Sequence, residues 1–130
     1  MNQWSQLLAV AGGGALGASA RYGVNQFFVR TGLYGLPAAT LCVNVIGCLI
    51  AGFVLVWLDT RLHDALWWRN LLMVGFLGGL TTFSALGVES WQLLRANRID
   101  LFALTVLAHV GFGVLAVAVG WKLGQAVFAH

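Results

Sequence analysis

Midway through an uncharged stretch long enough to cross a bilayer, the chain reads Gly78-Gly79-Leu80-Thr81-Thr82-Phe83-Ser84. No formal charge falls between Asn70 and Val88, and a span needs about 20 apolar residues. Two glycines and two β-branched threonines at its centre cost a helix roughly 3 kcal/mol relative to alanine. In hydrocarbon a released backbone group finds no water. A break therefore persists only where protein, an ion or a water-filled path satisfies it. Channels and transporters hold ions at such breaks. The plain alternative is a continuous helix whose threonines bond back to the preceding turn.

The rest of the chain sets the class. Of 130 residues, 60 % are hydrophobic and 8 % charged, a balance foreign to soluble domains. Uncharged runs cover Met1 to Ala20, Pro37 to Leu58, Asn70 to Val88 and Leu101 to Trp121. At about 1.5 Å per residue the second reaches roughly 33 Å, against a hydrocarbon core of about 30 Å. The expected fold is an all-α membrane protein: one domain of four transmembrane helices, near 3–29, 37–58, 70–94 and 100–126, the third broken at mid-membrane. Met1 to Ser5 lacks a basic n-region and no cleavage pattern follows, so the first run reads as a span and not a secretory signal.

Polar and aromatic residues mark the helix ends. Trp4, Trp57, Trp67, Trp68, Trp91 and Trp121 fall near the proposed boundaries, where amphipathic rings anchor at the interface. Pro37 suits the first turn of the second helix. Asp59, Arg61, His63, Asp64 and Arg69 form one loop, and Arg95, Asn97, Arg98 and Asp100 another; His63 and His130 read as solvated. Four spans would put Arg61, Arg69 and Lys122 on one side and Arg30, Arg95 and Arg98 on the other, with Arg21 if it reaches that far. Basic excess normally fixes orientation. Its absence suggests insertion both ways. The net charge of +3 is small and spread over both faces, so nucleic-acid binding is not indicated.

Four short helices enclose little, and small residues at four-residue spacing invite close contact: Gly13 with Gly17, Gly47 with Ala51, Gly75 with Gly79, Gly120 with Gly124. Some should pack helices within a chain and some should pair chains, with a twofold dimer the commonest outcome. Gly12-Gly13-Gly14-Ala15-Leu16-Gly17 matches the dinucleotide fingerprint, but no strand precedes it and the first acid is Asp59. It reads as a packing surface. Cys42 and Cys48 do not share a helical face and read as buried apolar thiols. No cluster resembles a transition-metal site and no nucleophile has a base, so an enzyme is not expected.

Polar residues inside the spans remain, and these carry function by default. Thr40 and Asn44 share a face of the second helix. Thr105, His109 and Gly113 form a stripe on the fourth, and Glu89 lies toward the end of the third. Inter-helix hydrogen bonding without transport is the alternative for any one of them.

Nearly end to end, the chain resembles the Fluc (CrcB-type) fluoride channels. The resemblance rests on Gly13-Gly14-Ala15-Leu16-Gly17-Ala18 with Arg21-Tyr22, on Thr40-Leu41-Cys42-Val43-Asn44-Val45-Ile46-Gly47, and above all on Gly75-Phe76-Leu77-Gly78-Gly79-Leu80-Thr81-Thr82-Phe83-Ser84. It implies an antiparallel, dual-topology homodimer in the lipid bilayer of a bacterial inner membrane, with two fluoride pathways. It also implies a structural sodium ion at the dimer centre, held by main-chain carbonyls that by position belong to Gly78 and Thr81. Asn44 matches the family's pore asparagine, Phe83 its first pore phenylalanine, Glu89 a following glutamate, and Arg21 a structural arginine. The implied activity is passive fluoride efflux that relieves toxicity.

Those residue types suit the anion. Fluoride is strongly hydrated, so donors must replace its water: the Asn44 amide and the hydroxyls of Thr40, Thr82 and Ser84. A phenyl ring offers a positive edge, so Phe83 can face the anion without capturing it. Several weak sites favour passage over retention. Two departures stand out. Leu86 replaces the second pore phenylalanine, and His109 replaces a small hydroxyl or amide on the fourth helix, where Thr105 and Gly113 share its face. A rival reading, a small dual-topology multidrug exporter coupled to protons, needs a carboxylate in the first helix. None is there, and Glu89 is in the third.

Overall fold

The computed structural model describes residues 2–32, 37–61 and 66–128; His63, Asp64 and His130 lie outside them. Within these residues the chain is helical throughout. Helix α1 (Gln3–Arg30) starts at Asn2, whose side chain accepts the Ser5 N–H at 3.0 Å, an N-cap. It stops at Gly32, in the left-handed region at φ 75°, which glycine reaches without strain. Helix α2 (Ala38–Arg61) begins just after Pro37, whose carbonyl accepts the Leu41 N–H at 3.0 Å. Helix α3 (66–80) is α-helical over Leu66–Arg69, π-helical over Asn70–Leu77 and α-helical again over Gly78–Leu80. After Thr81 and Thr82, both extended, α4 (Phe83–Arg95) resumes the span. Asn97 at φ 56° turns the chain into α5 (Ile99–Phe128): Arg98 N–H donates to Leu93 O and Asn97 N–H to Leu94 O, the pair of bonds that closes a Schellman motif.

Among the described residues, three stretches are long and apolar enough to cross a membrane: Ala38–Arg61, Leu66–Arg95 and Ile99–Phe128. At 28 residues α1 has the length, but Gln6, Ser19, Arg21, Asn25 and Gln26 make it the most polar of the long helices. The third stretch begins at Leu66, earlier than residue 70, because Trp67 and Trp68 already lie in helix. Trp68 stacks edge-on against Trp57, and Arg69 pairs with Asp59 across the loop. The π-helical segment had no signal in the sequence. It lies where the backbone of α1 presses closest.

Two backbone-to-backbone seams hold the helices together. A methyl at Gly13 would collide with the Leu71 carbonyl, and one at Gly17 with the Phe76 carbonyl; Gly75 faces Val10 O and Gly79 faces Gly14 O in return. The second seam joins α2 and α5, where a methyl at Gly52 would strike Val117 O and one at Gly120 would strike Leu49 O. Only without Cβ atoms can helices approach so closely. The glycine run of α1 is thus the packing surface its pattern suggested. Between the seams lies a small core of Val43, Leu77 and Leu80, flanked by Met73, Phe76 and Ile50.

Candidate functional site

An α-helix ends with four carbonyls lacking intrahelical partners, and the break places such an end inside the span. Thr81 still belongs to the helix before it: its N–H and its hydroxyl both donate to Leu77 O at 2.9 Å. Thr82 leaves. Its N–H, which a continuous helix would send to Gly78, donates instead to Asn44 Oδ1 at 2.8 Å. Asn44 Nδ2 returns a bond to the Thr82 carbonyl at 3.2 Å. Backbone N–H donates and C=O accepts, so the two bonds fix which way round the amide sits. One amide N–H and one carbonyl lone pair of Asn44 stay available.

The second half starts with its own cap. Thr82 Oγ1 accepts the Ala85 N–H at 3.2 Å, the donor that a continuous helix would give to Thr81 O. Its oxygen also lies 3.1 Å from Ser84 Oγ. On the other flank Arg21 Nε donates to Gly79 O at 3.1 Å, a cation at a helix C-terminus where the dipole favours one. Gly78 and Thr81 are two of the four carbonyls that lose their helical donors at the break, those donors going to Asn44 and to Thr82 Oγ1. Gly47 completes the frame: a methyl there would run into the Thr81 methyl. From α2, Asn44 grips Thr82 and Gly47 makes room for Thr81.

Asn44, Thr82, Phe83, Leu86 and His109 come together along one groove of about 300 Å³. Phe83 stands out from the chain, 84 % exposed. Thr40 is elsewhere: it is buried, and its one hydroxyl hydrogen goes to Glu89 Oε1. Glu89 Oε2 is buried without a partner among the described residues. Thr105 is buried too, and its carbonyl accepts from His109 Nδ1 at 2.9 Å. A carbonyl can only accept, so Nδ1 carries the proton and Nε2 of the neutral ring is a lone pair. That Nε2 is buried and unpartnered among the described residues. His109 also borders a neighbouring apolar groove with Thr105 and Phe112, so it divides the two.

Cys48 lines the groove as well. Neither thiol is fully buried, contrary to the sequence reading; Cys48 and Cys42 are half-buried and open onto different grooves. The clue was present, since Cys48 follows Asn44 by one helical turn. The contact between Arg21 and Gly79 had no such clue. It needs two helices brought together.

The family model described as "CrcB-like protein, Camphor Resistance (CrcB)" matches residues 8–121. A relative from Xylella fastidiosa (strain 9a5c), named fluoride-specific ion channel FluC, is 41 % identical over 124 residues, covering 95 % of this chain and 87 % of the relative. Proteins of the same name from Xanthomonas euvesicatoria pv. vesicatoria (strain 85-10) and Vibrio parahaemolyticus serotype O3:K6 (strain RIMD 2210633) are 37 % and 35 % identical. They cover 98 % and 95 % of this chain, and 96 % and 97 % of their own lengths.

Proposed function

The chain belongs to the CrcB-like family, and from that premise we propose that it is a fluoride-selective passive channel, not an enzyme, that lets fluoride leave the cytoplasm across the bacterial inner membrane. The observation that carries the reading is the reciprocal bonding of Asn44 with Thr82, which holds a helix open beside a groove with an N–H to spare. Asn44 offers one fixed donor and Phe83 its ring edge, and Thr82 lines the same groove with its hydroxyl 3.1 Å from that of Ser84. None is a full cation, so fluoride is partly desolvated yet released. Leu86 lines the path without donating. Thr40 gives its hydrogen to Glu89 and joins the path only when that bond opens. Thr105 acts through its carbonyl by orienting His109.

Assembly follows from the same break. Irregular backbone does not face lipid, yet Gly78 and Phe83 are exposed on a single chain. A second copy covers them, and α1 completes four spans. The even distribution of arginine and lysine supports opposed copies forming an antiparallel homodimer. The carbonyls of Gly78 and Thr81, freed of their helical donors, are hard oxygen ligands of the kind sodium takes. Sodium, when bound, would satisfy them and lend a fixed positive charge to the neighbourhood. A proton-coupled drug exporter is not favoured: the relatives carry a fluoride-channel name and α1 has no carboxylate.

The test is efflux from vesicles loaded with fluoride or chloride. Fluoride release without chloride release is expected. Equal passage of both ions would overturn the reading.

A further inference from the structure

We propose that Cys48 and His109 form a two-ligand site for thiophilic divalent cations such as zinc or cadmium, and that metal bound there closes the groove. A methyl built on Gly113 would lie 3.6 Å from Cys48 Sγ, an ordinary contact, so the sulfur rests against α5 beside residue 113. Gly113 follows His109 by four residues on α5. The α2 thiol therefore lies beside the same stretch of α5 that carries the imidazole, about one helical turn along from it. Both residues line the groove that holds Asn44 and Phe83, and both also line the groove beside it.

The imidazole is set up as a ligand. Metal-binding histidines commonly give one ring N–H to a backbone carbonyl and coordinate through the other nitrogen. His109 gives Nδ1–H to Thr105 O at 2.9 Å, and its Nε2 has no partner among the described residues. Cys48 is a free thiol. On binding, the thiol passes its proton to water and the metal sits about 2.3 Å from sulfur and about 2.0 Å from nitrogen. Water fills the other positions. A divalent cation fixed beside the anion path both narrows it and holds fluoride too strongly to release.

This inference rests on the fluoride-channel reading only for its transport readout. The experiment adds cadmium to reconstituted vesicles during fluoride efflux, each variant being compared with its own metal-free flux. Efflux through the parent protein should stop at micromolar cadmium and return with EDTA. Cys48→Ala and His109→Ser should each need about 10-fold more metal or better, whereas Cys42→Ala, whose thiol opens onto another groove, should keep the parent's sensitivity. Purified protein should also show a cadmium–thiolate ultraviolet band that Cys48→Ala lacks and His109→Ser weakens. That band reports on the site even if the parent passes no fluoride, an outcome that would sink the channel reading alone. Cadmium-insensitive efflux with no band, or equal sensitivity in the parent and both single variants, overturns the site.

Discussion

The two halves of the broken span are held in opposite ways. From 66 to 80 the chain lies against α1 with glycine facing backbone at Gly13, Gly17, Gly75 and Gly79, and nothing but main chain between. From Phe83 to Arg95 it leans on α5 and is tied to α2 by side-chain hydrogen bonds, Thr40 to Glu89 and Asn44 to Thr82. Shape fixes the first half, and polar bonds fix the second. The break falls where one kind of support gives way to the other. A span that must stay rigid on one side while presenting carbonyls and a phenyl ring on the other needs both.

If that contrast is right, the largest effect comes from the glycine seam. Gly17→Ala forces a methyl into the Phe76 carbonyl and should cost about 3 kcal/mol or prevent assembly. Gly12→Ala, which meets nothing within 4 Å, should cost no stability. Thermal denaturation in detergent compares the two, and equal loss would break the argument from shape. Next is Asn44→Leu, which leaves the part-buried Thr82 N–H and C=O without their partners. About 2 kcal/mol of stability should go, along with most fluoride efflux; a variant with normal flux would show that the amide is not what holds the break open.

Arg21→Gln sharpens the comparison, because it touches the end of the first half without touching the seam. It removes a charge-assisted bond to Gly79 O, and about 1 kcal/mol is expected in the same denaturation assay. The smallest effect belongs to the surface pair of Asp59 and Arg69. Asp59→Asn should change stability by under about 0.5 kcal/mol, because exposed pairs are screened. A shift larger than that of Arg21→Gln would mean that the loop, and not the break, governs the span.

Much of this could be read in the sequence. Helical character, membrane-spanning apolar stretches and the position of the break follow from composition and from the Gly-Gly-Leu-Thr-Thr run, since hydrocarbon punishes any unpaired backbone group and weak helix formers cluster where one is allowed. The glycine pairs announced close packing because only a missing Cβ permits it. Other features needed the fold. The sequence named Thr40 and Glu89 for the polar path, and only the stacking of α2 and α4 shows that the Thr40 hydroxyl meets Glu89. It set aside Cys48 as a buried thiol, but the fold leaves it half-buried against Gly113 and in the same groove as His109. It gave no sign of the π-helical Asn70–Leu77 or of Arg21 reaching Gly79. Local preference acts through neighbours along the chain and is legible residue by residue. Which donor meets which acceptor depends on how helices far apart in sequence are stacked, and only the tertiary structure decides that.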